Sequence, residues 1–373
     1  MLAATWGAEM TLRALTIPNH EYLRSLFTSQ QLLAVGRNTA IAGVGLSFLK
    51  LDNRLKAPKA VAYSLQGCGL KNTARAASVV LICDDCDHIQ RAGELKEATL
   101  IVKRALNLLR SPLRHTGLEL TGQSFSEAKI YLQTNIKDEH LVDGRINHSP
   151  ADLEDDLQVL GHLCEFLHLE AKKACAMTAA VRHAAGLGLD MVGLDLRHDG
   201  RIELKLYFAP PEGVAGLSGA GGYSRAERAL AALHAASMTY FQPQSWAALR
   251  EIMTSNPTLC LNQISAEMQP SGLMKSKLYF DLWKREKTFD ADQSAADFSF
   301  DALEGLRVAF RRPGISFPAA ADLRALKEEA EKGEFVLDAF CLETLGEEAK
   351  IKIYIRPAGN TDGDGMTWES EHQ

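Results

Sequence analysis

Four tripeptides of the form Lys-x-Tyr set a cation and an aromatic ring two residues apart: Lys129-Ile130-Tyr131, Lys205-Leu206-Tyr207, Lys277-Leu278-Tyr279 and Lys352-Ile353-Tyr354. On a β-strand, residues i and i+2 share a face, so each copy presents both groups to one side. Lysines suit a polyanion, and tyrosine faces suit a cation. Few substrates need both, but an allylic diphosphate does. Its leaving group is anionic, and the fragment left after C–O cleavage is an allyl carbocation. Ammonium groups placed where negative charge develops would stabilise departure. Ring faces would stabilise the cation by roughly 0.5–2 kcal/mol per partly desolvated contact. Walls that exclude water would keep it from being quenched.

The four tyrosines are separated by 76, 72 and 75 residues and make up half of the 8 in the chain. That period is too long for a short solenoid repeat and fits a multi-element unit copied along the chain. The copy around Lys205 is the clearest. Leu189 to Arg197 reads as a strand, His198-Asp199-Gly200 as a tight turn and Arg201 to Phe208 as a second strand. Asp-Gly between two such runs is a hairpin signal. In the second strand Glu203, Lys205 and Tyr207 alternate with Leu204, Leu206 and Phe208. The other copies keep this alternation: Glu127, Lys129 and Tyr131; Lys275, Lys277 and Tyr279; Lys350, Lys352 and Tyr354. Their preceding strands are expected at 117–121, 258–269 and 335–345. A degraded fifth copy lies upstream, where 40–51 and 58–65 form a hairpin-like pair with Lys59, Val61 and Tyr63 in phase.

Between hairpins the sequence turns helical. Stretches 92–110, 151–167, 169–185, 224–238, 244–253, 302–310 and 320–333 are rich in Ala, Leu, Glu and Lys at helical spacing. Ser149-Pro150, Ser224 and Gly333 read as caps. Two strands and about two helices, repeated five times, predict an α+β fold of αββα units. Helices must cover the Leu/Ile/Phe face, where burial is favourable. Closing ten antiparallel strands into a barrel would remove the sheet edges and enclose the Lys/Tyr face as a polar lumen inside a ring of helices. The expected organisation is a single barrel domain over 1–357, with a helical lead-in at 1–35 and a disordered, Gly/Asp-rich tail at 358–373.

Composition agrees with this architecture and excludes others. With 373 residues, 46% of them hydrophobic, the chain can bury a large core. A net charge of −6 leaves no global nucleic-acid footprint. The 7 cysteines are scattered, which suits a reducing compartment and predicts a cytoplasmic protein. No secretory h-region and no membrane-spanning apolar run is read from the sequence. Cys83-Asp84-Asp85-Cys86-Asp87-His88 contains Cys-x-x-Cys, but no second Cys/His pair completes a zinc site, and it reads as the end of an apolar strand-like run. The stretch 211–222 holds five glycines without a following Lys-Ser/Thr, so it reads as a mobile loop at the barrel mouth and not as a phosphate loop. His162, His168 and His183 fall in helical segments and read as packing or surface residues.

The stretches GLDLRHDGRIELKLYFAP (193–210), SKLYFDL (276–282) and IKIYIRPA (351–358) resemble the ABBA, or PT-barrel, aromatic prenyltransferases of the indole or cyanobactin branches. The resemblance covers about residues 40–357. It implies transfer of a dimethylallyl or geranyl group from its diphosphate to an electron-rich acceptor, indole/tryptophan or tyrosine, free or in a peptide. It implies that Lys129, Lys205, Lys277 and Lys352 hold the diphosphate, with Lys59 standing in for an arginine of the family. Tyr63, Tyr131, Tyr207, Tyr279 and Tyr354 would shield the allyl cation. Glu127, Glu203 and Asp195 are the candidate proton acceptors. No metal site and no obligatory cofactor are expected, although magnesium could accompany the diphosphate. The alternative function is a non-catalytic barrel that binds an anionic prenyl or lipid phosphate.

Overall fold

The computed structural model describes residues 46–51, 58–64, 113–121, 124–133, 141–142, 145–146, 153–197, 201–210, 217–237, 250, 253–254, 260–268, 274–281, 303–304, 315–316, 318–333, 335–345 and 348–357. The strands are β1 Leu46–Leu51, β2 Pro58–Ser64, β3 Leu113–Thr121, β4 Ser124–Gln133, β5 Leu141–Val142, β6 Arg145–Ile146, β7 Gly188–Arg197, β8 Ile202–Ala209, β9 Leu217–Ser218, β10 Cys260–Met268, β11 Met274–Asp281, β12 Ile315–Ser316, β13 Phe335–Leu345 and β14 Glu348–Pro357. The longer described helices are α1 Leu153–Phe166, α2 Ala171–Ala185, α3 Gly219–Ser237 and α4 Ala320–Glu331. The fold is therefore α+β, as the alternating strand and helix patterns predict.

Hairpins β1/β2, β3/β4, β7/β8, β10/β11 and β13/β14 are all antiparallel. They join in one sheet of order β1-β2-β3-β4-β7-β8-β10-β11-β13-β14-β12, with β9 added beside β10. β1 also pairs with β14, through Leu49↔Ile355, Lys50↔Tyr354 and Leu51↔Ile353. Directly paired residues of antiparallel strands lie on the same face. The register therefore carries Lys129 onto Asp195, Lys205 onto Glu267 and Lys277 onto Glu343 around one face.

The opposite face is the core. Leu194, Leu206, Phe208, Ile264, Leu278, Phe280, Phe340, Leu342, Ile351, Ile353 and Ile355 are all buried. α2 turns Ala174, Met177, Val181 and Ala185 inward and packs on β7 and β8 as well as on α1 and α3. It ends at Gly186, whose φ of 64° takes the left-handed conformation that glycine tolerates, while its N–H bonds to the Arg182 carbonyl. Gly333, with φ +81°, follows α4 as its expected terminator. His162, His168 and His183 are exposed, as expected.

Two local expectations are corrected. Ser224 does not cap a helix, because α3 begins at Gly219; its Oγ instead accepts a hydrogen bond from Arg228 one turn later. The end of the glycine-rich stretch is not loop: Leu217–Ser218 pairs with β10, and the last four glycine-rich residues open α3. The lead-in 1–35, the tail 358–373, the helix expected at 92–110 and the Cys83–His88 motif lie outside the described residues.

Phe280 and Phe340 are cross-strand partners whose rings stack at 4.9 Å, both fully buried. Phe340→Ala is expected to cost about 3–5 kcal/mol of unfolding free energy in a urea titration, from lost transfer energy and the cavity left behind. A loss under about 1 kcal/mol would contradict this packing.

Candidate active site on the Lys/Tyr face

Strand alternation puts the four lysines on one face, and register supplies each with a carboxylate from a neighbouring strand. Lys129 Nζ donates to Asp195 Oδ2 at 2.7 Å, and Lys205 donates to the same oxygen. Lys205 also lies 3.4 Å from Glu267, which takes Lys275 at 3.0 Å and Lys277 at 3.8 Å. Lys277 reaches Glu343 at 3.5 Å, and Glu343 takes Lys350 at 3.0 Å and also Lys352. The result is one continuous ladder from β4 to β14. Lys129, Asp195, Lys205, Glu267, Lys277 and Glu343 are all buried, while Lys275 and Lys352 are partly exposed and Lys350 is half-exposed. The face expected to line a polar lumen is thus crossed by its own ion pairs.

One step along each strand lie the tyrosines. Tyr131 and Tyr207 meet edge to face at 5.9 Å, whereas Tyr207 and Tyr279 at 5.9 Å and Tyr279 and Tyr354 at 6.1 Å are tilted. Within their own hairpins the first three pair with His115, Met191 and Gln263, but across to the next hairpin their partners are small: Gly193, Ser265 and Cys341. Small residues here make room for rings. A Cβ on Gly193 would sit 3.0 Å from the Tyr207 ring and 3.5 Å from the Tyr131 ring.

Burial raises the phenols of all four tyrosines above their ordinary value, so the rings stay neutral. Burial alone would also raise the Asp195 carboxyl, but Lys205 and Lys129 outweigh it and hold it at about 2. Glu267 and Glu343 are likewise held well below the usual carboxylate range by the lysines around them, against the effect of burial. Burial and the charge of Lys129 pull Lys205 down to about 7.

The structure thus brings together Lys129, Lys205, Lys277, Lys352, Tyr131, Tyr207, Tyr279, Tyr354 and Asp195. Glu203 pairs with Arg197, next to the ladder on the same face. Glu127 stands opposite Arg197 in register. The fifth copy departs from expectation. Tyr63 pairs with Thr116, which pairs with Ile130, so it is in register with the apolar face and not with Tyr131. Lys59 falls at the irregularity between Lys50↔Ala60 and Leu51↔Pro58. A one-residue slip exchanges the faces of a strand, and the alternation of Lys59, Val61 and Tyr63 cannot by itself say which face it occupies. Glu267 and Glu343 were not singled out from sequence. Their signal is the repeat itself: Glu119, Asp195, Glu267 and Glu343 recur at 76, 72 and 76 residues.

Removing one carboxylate strands several buried ammonium groups. Glu267→Gln is expected to cost roughly 3–5 kcal/mol at pH 7. The native carboxylate is depressed from its ordinary 4.5, so its stabilisation is complete above that pH and is lost as pH falls through the folded value. The gap between native and variant in urea titrations should therefore narrow from pH 7 to pH 3. A gap that is negligible at pH 7, or equal at both values, would contradict the ladder.

No protein-family model and no curated protein matches the sequence. Solved structures do match. The prenyltransferase PriB in its apo form superposes with a TM-score of 0.52 at 14% identity, over 94% of this chain and 98% of that one. AnaPT from Neosartorya fischeri superposes with a TM-score of 0.51 at 12% identity, over 84% of this chain and 78% of that one. Identities this low speak to fold alone. The chain shares its fold with the ABBA aromatic prenyltransferases that its hairpin sequences resemble.

Proposed function

We propose that this chain is an aromatic prenyltransferase that ionises dimethylallyl or geranyl diphosphate and passes the allyl cation to an electron-rich acceptor, an indole or a phenol, free or in a peptide. The observation that carries the reading is the unbroken row of four neutral tyrosine rings beside a row of lysines on one buried face. In this reading the five hairpins close as a ten-stranded barrel, supported by the β1–β14 pairing, and the Lys/Tyr face is its lumen. The prenyltransferase named among the fold's solved examples supports the reaction class.

The ladder gives the chemistry a charge balance. Six ammonium groups, Lys129, Lys205, Lys275, Lys277, Lys350 and Lys352, share three carboxylates, Asp195, Glu267 and Glu343. The excess of positive charge is of the size that a diphosphate neutralises. As the C–O bond breaks, its electron pair moves onto the diphosphate, where these ammonium groups stabilise it. The tyrosine faces then hold the cation until the acceptor's π-electrons form the new C–C bond, and loss of a ring proton restores aromaticity. Asp195, at about 2 between two ammonium groups, suits the role of counter-ion. Proton removal is assigned to Glu203 or Glu127, the next carboxylates on that face. The ladder carboxylates are occupied by lysines, so magnesium, where used, enters with the diphosphate.

Incubation with isoprenyl diphosphates and an acceptor panel should give prenylated product and inorganic diphosphate. Tyr207→Phe should keep most of that activity, and Tyr207→Ala should divert turnover to prenyl alcohol, because the ring and not the hydroxyl shields the cation. Tight donor binding with no diphosphate release across the panel would favour the non-catalytic barrel instead.

Lys205 adds a pH signature. Its ammonium is lost above about 7 in the free protein, and a bound anion restores it, so binding takes up a proton. Calorimetry should show donor affinity falling as pH rises from 7 to 9, by up to about tenfold per unit. Lys205→Met should flatten this slope. Parallel slopes would contradict the assignment.

A further inference from the structure

The hairpins carry a second repeat that only register reveals. In each, the first strand holds one residue more than its partner at the same height. The extra residues are Ser47, Arg114, Asp190, Asn262 and Asp338. Each stands where the partner strand passes from its Lys-x-Tyr tyrosine to the residue after, or in β2 from Ala62 to Tyr63. All five are polar. A bulge interrupts the alternation of faces and so re-aims a side chain.

Asp190 shows what this does. It lies between Leu189↔Phe208 on the core face and Met191↔Tyr207 on the Lys/Tyr face. It is buried, and its Oδ2 accepts a 2.6 Å hydrogen bond from Gln263 Nε2. Gln263 follows the next hairpin's bulge and pairs with Tyr279, so it belongs to the Lys/Tyr face. The Asp190 carboxylate is thereby held to that face, in a bridge between two hairpins. Along β8 the order is Lys205, Tyr207 and then the step opposite Asp190, so the tyrosine row lies between this carboxylate and the ladder. Asp195 is five residues away on β7, roughly 15 Å at the rise of a strand. A carboxylate accepts at about four lone-pair sites, so the bond from Gln263 fixes its direction without filling it.

We infer that Asp190, steadied by Gln263, orients the acceptor by taking a hydrogen bond from the N–H or O–H that an electron-rich aromatic ring carries. This rests on the prenyl-transfer reading for what the bound ring then does, but the binding itself does not. In that reading the diphosphate lies on the lysines and the allyl cation on the rings. The attacking ring then approaches from the side the bulges occupy. One fixed hydrogen bond, with the tyrosine row as floor, turns one ring carbon towards the cation. It also pushes electron density from the nitrogen or oxygen onto the carbons that attack. Asp190 is thus a positioning residue: it sets which carbon is prenylated, while the ladder and the rings handle ionisation.

The test uses two pairs of probes, each differing by one hydrogen-bond donor: indole with N-methylindole, and phenol with anisole. Titrated calorimetrically into the full chain, indole and phenol should bind about tenfold more tightly than their methylated partners. Asp190→Ala should erase that preference. Asp190→Asn, which keeps the size of the side chain and an oxygen for Gln263, should fold as the native chain does and reduce it severalfold. In turnover with dimethylallyl diphosphate, Asp190→Asn should raise KM for the acceptor, leave KM for the donor unchanged and spread product over several ring positions where the native chain favours one. A merely structural role would not move that product ratio. A preference within one pair alone upholds the subsite and tells N–H from O–H. Equal or absent binding within both pairs, a preference unchanged in Asp190→Asn, or a raised donor KM in place of the acceptor KM would overturn the proposal. Donor-selective probe binding without prenyl transfer from any diphosphate would uphold the subsite and reject the prenyltransferase reading, so the two fail separately.

Discussion

A buried ammonium group without a counter-charge costs several kcal/mol or gives up its proton. This chain sets lysines on four strands of one buried face, so everything else on that face has to answer them. Asp195, Glu267 and Glu343 do so, each from a strand between two lysine-bearing strands and each bonded to lysines on both sides. Because the pairs are cross-strand, they hold only while the register holds. A slip of one residue would turn every lysine into the apolar core and every leucine onto the charged face. The ladder is weak evidence for stability in the net, since it offsets a desolvation cost that hydrophobic residues would not incur. It is strong evidence for specificity of pairing and for a site in which positive charge outnumbers negative.

The tyrosine row depends on the same register. Tyr131, Tyr207 and Tyr279 each have a small residue at that height on the next hairpin, and a methyl group on Gly193 would crowd the Tyr131 and Tyr207 rings. In four of the five hairpins lysine and ring thus come as one unit, in two parallel rows. A strand face with period two is the simplest way to deliver both groups at fixed separation. The first hairpin departs from this: its register puts Ala60 and Ala62 opposite Glu119 and Gly117, where the other hairpins carry lysine and tyrosine.

Much of this was legible in the sequence, because it is local. Lys-x-Tyr spacing and the alternation beside it predict the antiparallel hairpins, their Lys/Tyr faces and an α+β fold. What was not legible is what register decides. Lys129 and Asp195 are 66 residues apart, and Asp195 was read as a proton acceptor when it is a counter-ion to two lysines. Glu267 and Glu343 passed unnoticed for the same reason, although they repeat with the tyrosines. Lys59 and Tyr63 show the converse error. Their spacing matched the motif, yet irregular pairing between β1 and β2 puts Ala60 and Ala62 in the motif's place. Ser224 missed its helix start because five further residues, Gly219 to Tyr223, extend α3 at its N-terminal end.

The central claim is that one face of the sheet binds an allylic diphosphate, its anionic head on the lysine ladder and its hydrocarbon end on the tyrosines. The most direct measurement is a crystal structure with an unreactive thiolo analogue of dimethylallyl diphosphate. The account predicts phosphate oxygens within hydrogen-bond distance of the Lys205 and Lys277 Nζ atoms and the allyl group in contact with the Tyr207 and Tyr279 rings. An analogue seated off that face, or a ladder whose lysines keep only their carboxylates at saturating analogue, would contradict it.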